Sequence, residues 1–164
     1  MKKIVVIMIV GLYIGSIFLV NFFGLQYVAH ELNVYVTKLE CNTISDLDGN
    51  AIEYYALDTD PDTQMEIKCF KVIFKAGEYT TDAESLATNP NVYKINCNAL
   101  PENANNKSVN LVYDTKNEGT LFVIDPEEMT ITFLKGNNKS VTILIVAADG
   151  SHVKEEIKIL VKKQ

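Results

Sequence analysis

Three cysteines, Cys41, Cys69 and Cys97, are the side chains of this 164-residue sequence best suited to covalent chemistry. Cys41 and Cys97 end the similar segments 36–41 and 92–97, whose alternating pattern is typical of strands with one buried face. Their separation suits strands on opposite sheets of a β-sandwich, so we predict a Cys41–Cys97 disulfide through the core. Three unpaired core thiols are the alternative. Cys69 is expected to be free, buried, or paired with another chain.

The two histidines, His30 and His152, do not complete a catalytic pattern with these cysteines. A cysteine nucleophile needs a nearby imidazole that a third group orients, whereas each cysteine here is expected inside a strand. The sequence has no paired Cys or His residues at zinc-binding spacing and no glycine loop suited to phosphate. We therefore expect no enzyme and no small-molecule substrate; an enzyme of unrecognised type is the remaining alternative.

The charge balance also limits the partners. The chain has 21 acidic residues and 15 lysines, no arginine, and a net charge of −6. No basic stripe is interleaved with aromatic residues, so nucleic acid is not an expected partner. Acidic side chains that meet in space could instead bind a hard cation such as calcium, which takes oxygen ligands.

An uncharged apolar stretch, residues 4–23, follows Lys2 and Lys3. As a helix it would be about 30 Å long, which matches the hydrocarbon core of a bilayer. Residues 1–29 are therefore expected to be a signal peptide or an uncleaved membrane anchor. Cleavage after Ala29 would place Tyr27 where a small residue is preferred, so both alternatives stay open. The rest of the chain is expected to be secreted or held at the cell membrane, on the extracytoplasmic side.

Beyond this segment the chain is expected to form short strands separated by turn residues. The predicted strands are residues 35–41, 51–57, 65–74, 92–97, 108–113, 120–124, 129–134, 140–147 and 153–161. A short helix is predicted over residues 81–87, with Thr81 or Asp82 as its N-cap. This pattern predicts an all-β fold, a sandwich or a barrel, behind an N-terminal hydrophobic helix.

Two identical tetrapeptides, residues 105–108 and 137–140, are read as turns that lead into strands. Each contains an acceptor sequence for N-glycosylation, at Asn106 and at Asn138. Both asparagines would carry glycan in a eukaryotic secretory pathway, and the matches would have no meaning in a bacterium.

The order of these elements resembles extracellular cadherin repeats. Residues 45–54 are similar to the early Asp-x-Asp element, and residues 65–74 to the hairpin that follows it. Residues 82–84 stand where Asp-Arg-Glu is expected, and residues 92–99 resemble the alternating strand that ends in alanine. Residues 114–118 resemble the acidic linker. The resemblance implies a Greek-key β-sandwich over residues 30–118, with residues 119–164 as a partial second repeat or as the remaining strands of the same sandwich.

The resemblance also implies calcium sites at the ends of the repeat. Two of the implied ligands, Asp46 and Asp48, would face the membrane-proximal end. The ligands implied for the distal junction are Asp82, Glu84, Asp114 and Asn117. Calcium at such positions stiffens the junction between repeats.

A second resemblance is to the immunoglobulin-like sandwich in the broad sense, which accounts better for the paired cysteines. The chain has no tryptophan, and Ile95 stands where that fold places a tyrosine, two residues before the second cysteine. Both resemblances imply a binding module. We expect calcium-dependent cell adhesion, with a homophilic or heterophilic protein partner; a calcium-independent surface or structural module is the alternative.

Overall fold

The computed structural model describes residues 9–16, 33–75 and 77–163. The chain divides into two compact units, Met1–Asn33 and Val34–Gln164. Residues 9–16 of the first unit are helical, and most of the predicted signal or anchor lies outside the described residues. Within the described residues, no helix combines the length and the apolar character that crossing a membrane requires.

The described residues of the second unit form ten strands in two five-stranded sheets. The strands are β1 (Lys38–Ser45), β2 (Ala51–Glu53), β3 (Ala56–Thr59), β4 (Glu66–Phe74), β5 (Val92–Leu100), β6 (Val109–Tyr113), β7 (Phe122–Asp125), β8 (Thr130–Phe133), β9 (Ser140–Ala147) and β10 (Lys154–Lys163). The first sheet has the order β2-β1-β5-β8-β7, and the second sheet has the order β3-β4-β10-β9-β6. The predicted all-β sandwich is therefore confirmed at the level of two packed sheets.

Most predicted strands occur within a few residues of their expected positions. Residues 51–57 differ, because they contain the whole of β2 and the start of β3. β2 pairs with β1 in the first sheet, whereas β3 pairs with β4 in the second. Tyr54 and Tyr55 lie between them, so the chain changes sheets at this point. The predicted helix is α1 (Ala83–Ala87), and its N-cap is Asp82.

The strands after residue 119 belong to both sheets. β7 and β8 pair beside β5 in the first sheet, and β9 and β10 pair beside β4 in the second. The strands of this part of the chain are therefore distributed over both sheets of the sandwich.

The core lies between the sheets, where alternate residues of each strand point inward. Its large buried strand residues are Leu39, Ile44, Tyr93, Ile95, Phe122, Ile124, Ile131 and Phe133 from the first sheet, and Phe70, Val72, Phe74, Ile143, Ile145, Ile157, Ile159 and Val161 from the second. β9 shows the pattern clearly, because Ile143 and Ile145 are fully buried while Leu144 is only partly buried.

We expect Ile145→Ala to lower the free energy of unfolding by about 3 kcal/mol, because it leaves a cavity between the sheets. The matched change Val146→Ala, on the other face of β9, should cost less than about 1 kcal/mol. Urea denaturation of both variants measures the difference. Equal losses would contradict the assignment of the two faces of β9.

Candidate functional site

The loops that carry the predicted calcium ligands all lie at one end of the sandwich, here called the loop end. β1 ends beside the start of β5, and the parallel strands β4 and β10 end side by side. β6 ends beside the start of β9, where β10 also ends. The Lys75 N–H donates to Asn91 Oδ1 across 2.6 Å, which joins the end of β4 to the start of β5. Asp46 and Asp48 are therefore at the same end as the other four candidates, not at the opposite end as the resemblance implies.

Asp46 holds the turn between β1 and β2. Its Oδ1 accepts hydrogen bonds from the N–H groups of Asp48, at 3.1 Å, and Asn50, at 2.9 Å. The Asn50 side-chain amide contacts both carboxylate oxygens. The hydrogen bonds from Asn50 lower the pKa of Asp46. The carboxylate is thus already used in closing the turn, a common role for aspartate.

Asp82 and Glu84 begin helix α1. Asp82 Oδ1 accepts from the Ser85 N–H at 2.9 Å, and Oδ2 accepts from the Thr80 hydroxyl. These bonds lower the pKa of Asp82, with the Thr80 hydroxyl as the largest cause. Glu84 stands in the first helical turn, where a negative charge is favourable. Their positions are those of a helix cap.

Asp114 caps a short 3-10 helix, Thr115–Asn117, and Asn117 is the last residue of this helix. Asp114 Oδ1 accepts from the Lys116 N–H at 2.9 Å. Both residues line a cavity of about 180 Å³, and Lys139 lines it as well. A lysine in the lining is unfavourable for a second cation in the same space.

The five candidate carboxylates share an end of the fold without three of them meeting in one cluster. Across residues 33–75 and 77–163, three His, Cys, Asp or Glu side chains place ligand atoms within 4.8 Å of one another only at Cys41, Cys97 and Glu155. The two cysteines of that group are joined to each other. Calcium binding at the loop end stays a prediction.

The predicted disulfide between Cys41 and Cys97 is present, with a Cα–Cα distance of 4.1 Å. Its expected position between opposite sheets is wrong, because β1 and β5 are neighbours in the first sheet. The sequence contexts of the two cysteines indicated two strands correctly. They could not indicate the pairing of those strands, which depends on contacts far apart in the chain.

The disulfide lies beside a β-bulge in β1. Glu40 pairs with Asn98, but the register shifts by one residue before Thr43 pairs with Asn96. Continuing the first register places Cys41 opposite Cys97, so residue 42 is the extra residue of the bulge.

Glu155 and Lys68 connect this bulge to the second sheet. Glu155 Oε2 accepts from the Cys41 N–H at 3.1 Å, and its Oε1 contacts Lys68 Nζ. Lys68 also donates to Asn42 Oδ1 at 2.7 Å. The side chains of Lys68 and Glu155 are 17% and 12% exposed. We call Cys41, Asn42, Lys68, Cys97 and Glu155 the junction, because together they tie β1 and β5 to β4 and β10.

The junction was missed in the sequence, although a signal for it exists. Lys68 is in phase with Phe70 and Val72 along β4, and Glu155 is in phase with Ile157 and Ile159 along β10. A charged residue directly before a buried series, and in phase with it, on each of two strands indicates an inward-facing ion pair.

Cys69 is a free thiol, and it is buried. Both states were among those expected from the sequence. It lies on the other face of β4 from Lys68, in a groove that Asp58 and Lys158 also line. Burial raises the pKa of the Cys69 thiol, which disfavours the nucleophilic thiolate. The glycosylation sequences are both on exposed loops, at Asn106 and Asn138.

Comparison with protein-family models and with curated proteins gives no match to this chain.

We expect Lys68→Met to lower the free energy of unfolding by about 3 kcal/mol, because it leaves the Glu155 carboxylate with little solvent and without its cation. Adding Glu155→Gln should recover much of this loss, since the double variant carries no unpaired charge. Urea denaturation of the two single variants and the double variant measures the coupling. If the loss of unfolding free energy in the double variant equals the sum of the losses in the two single variants, a direct interaction between the two charges is contradicted.

Proposed function

We propose that this chain is an exported or membrane-anchored, immunoglobulin-like interaction module that works without calcium. The strand order is the observation that carries the proposal. When β1, β5, β6, β7, β8, β9 and β10 are lettered A to G along the chain, the first sheet contains A-B-E-D and the second contains G-F-C. An immunoglobulin-like Greek-key sandwich has the same two sets of strands in its sheets, and this likeness of strand order supports the proposal.

Two features limit the proposed likeness to the overall architecture of immunoglobulin-like domains. The bridge joins the neighbouring strands lettered A and B, whereas antibody domains join B to F across the core. β4 is inserted before B and pairs in parallel with G. We therefore propose the broad immunoglobulin-like class and not an antibody-type domain.

Export is supported by the disulfide of the second unit and by the apolar sequence of the first. Disulfides persist in oxidising compartments and are rare where thiols are kept reduced. The Cys41–Cys97 bridge therefore fits the compartment that the apolar residues 4–23 imply.

Binding is proposed in preference to catalysis because the reactive side chains are poorly placed for chemistry. His152 is exposed in the turn before β10, and the free thiol of Cys69 is buried on β4. Sandwich domains of this kind present loops and strand edges to partners, and the second sheet offers both.

Calcium-dependent adhesion is the second candidate, and the convergence of all six predicted ligands on the loop end favours it. We place it second because Asp46, Asp82 and Asp114 each accept backbone hydrogen bonds that close a turn or cap a helix. A calcium ion would have to share or replace those bonds.

We expect the full chain to have the same melting midpoint in excess calcium and in excess chelator. A module with calcium at a hundred times its dissociation constant would gain about 2.7 kcal/mol, which is a readily measured shift. The double variant Asp46→Asn, Asp114→Asn is the matched control. A calcium-induced rise in the wild-type midpoint that this variant loses would contradict the calcium-independent proposal and support adhesion through the loop end.

A further inference from the structure

Strand β6 is an unprotected edge of the second sheet. The sheets have four edge strands, β2, β3, β6 and β7, and three of them carry an acidic residue: Glu53, Asp58 and Asp125. β6 has the sequence Val-Asn-Leu-Val-Tyr, with neither a charge nor a proline. Charged side chains, proline and very short length are the usual protections of an edge against pairing with another chain. β6 is the longest of the four edges and has none of them.

The free side of β6 presents a regular set of backbone groups. The Ala148 N–H donates to the Ser108 carbonyl at 2.9 Å, so the backbone of residue 108 faces β9. Backbone groups alternate along an antiparallel strand, so those of Asn110 and Val112 also face β9. The N–H and C=O groups of Val109, Leu111 and Tyr113 face away from it. Among the described strands, β6 pairs with β9 alone.

We propose that β6 pairs with β6 of a second copy of this chain, antiparallel and centred on Leu111. This inference names a partner for the interaction function proposed above and rests on it. A two-fold axis perpendicular to the second sheet places Val109 of each copy opposite Tyr113 of the other. Each of the three outward-facing residues then donates one hydrogen bond and accepts one. The two second sheets become one continuous ten-stranded sheet.

The charged residues at the two ends of β6 favour a second copy in this orientation. Lys107 precedes the strand and Asp114 follows it. Antiparallel pairing brings the lysine end of each copy to the aspartate end of the other, whereas parallel pairing would place like charges together. The contact is isologous and therefore closes at two copies.

The contact would also bury apolar side-chain surface on the solvent-exposed face of β6. Val112 is 53% exposed in the single chain, and Asn110 is exposed beside it. In the proposed register Val112 of each copy lies directly opposite Asn110 of the other. This pair is of the non-hydrogen-bonded type, with Cα atoms about 4.5 Å apart.

Cysteine cross-linking of the full chain tests this register. The variants Asn110→Cys and Val112→Cys are mixed in equal amounts in mild detergent and oxidised. The mixture should give several-fold more cross-linked dimer than either variant alone, because only the mixed pair lies within disulfide range. Residue 110 of one copy is a diagonal neighbour of residue 110 of the other, about 7–8 Å away. Cross-linking that is equal in all three samples would overturn the register.

Sedimentation of the full chain over a range of concentrations tests the contact itself. The wild type should form a reversible dimer, and the double variant Asn110→Lys, Val112→Lys should be monomeric because four lysines would face one another. Val123→Lys on edge strand β7 is the matched control and should dimerise like the wild type. All samples keep the N-terminal segment, so association through it would be the same in each.

The outcomes separate this inference from the proposed function. A monomeric wild type, or a dimer that the two lysines leave intact, would overturn pairing through β6. Neither result bears on calcium independence, which the melting midpoint reports. If the lysine variant does not fold, the cross-linking comparison still decides the register.

Discussion

The contact between Glu155 and the bridged pair of strands is the interaction on which the rest of the fold depends. One carboxylate binds the backbone of Cys41 in the first sheet and the ammonium group of Lys68 in the second. The disulfide fixes β1 to β5 next to the bulge, so this carboxylate has a defined place to bind. Buried polar groups are costly unless all their partners are present, and such a network favours one alignment of the sheets over shifted ones.

That alignment determines what the molecule presents to partners. β4 and β10 run in parallel through the centre of the second sheet, which brings the loops after β1, β4 and β6 to a single end. It also leaves β6 at the edge of the second sheet, away from the centre. The loop end and the β6 edge are separate surfaces. The loop end carries carboxylates that close turns or cap a helix. The β6 edge presents backbone N–H and C=O groups, and the strand carries no charged side chain that would hinder pairing with another chain.

The sequence predicted the strands well because alternation and turn residues are local signals. Residues 140–147 were predicted to their exact ends, and Asp82 was a correct N-cap. The Cys41–Cys97 disulfide was predicted, but between strands of opposite sheets, whereas β1 and β5 are neighbours in one sheet; strand order depends on contacts distant in sequence. The bulge at residue 42 was not predictable from alternation, since one extra residue changes its phase. Lys68 and Glu155 were missed because charged residues are usually assigned to the solvent face.

Urea unfolding of the full chain with the Cys41–Cys97 bridge intact and after its reduction tests the central claim most directly. The bridged cysteines are 56 residues apart, and a loop of this length contributes about 4 kcal/mol through the entropy of the unfolded chain. We expect the free energy of unfolding to fall by about that amount on reduction. An unchanged free energy of unfolding would contradict the claim that the bridge, which fixes β1 to β5 where Glu155 binds, stabilises the folded chain.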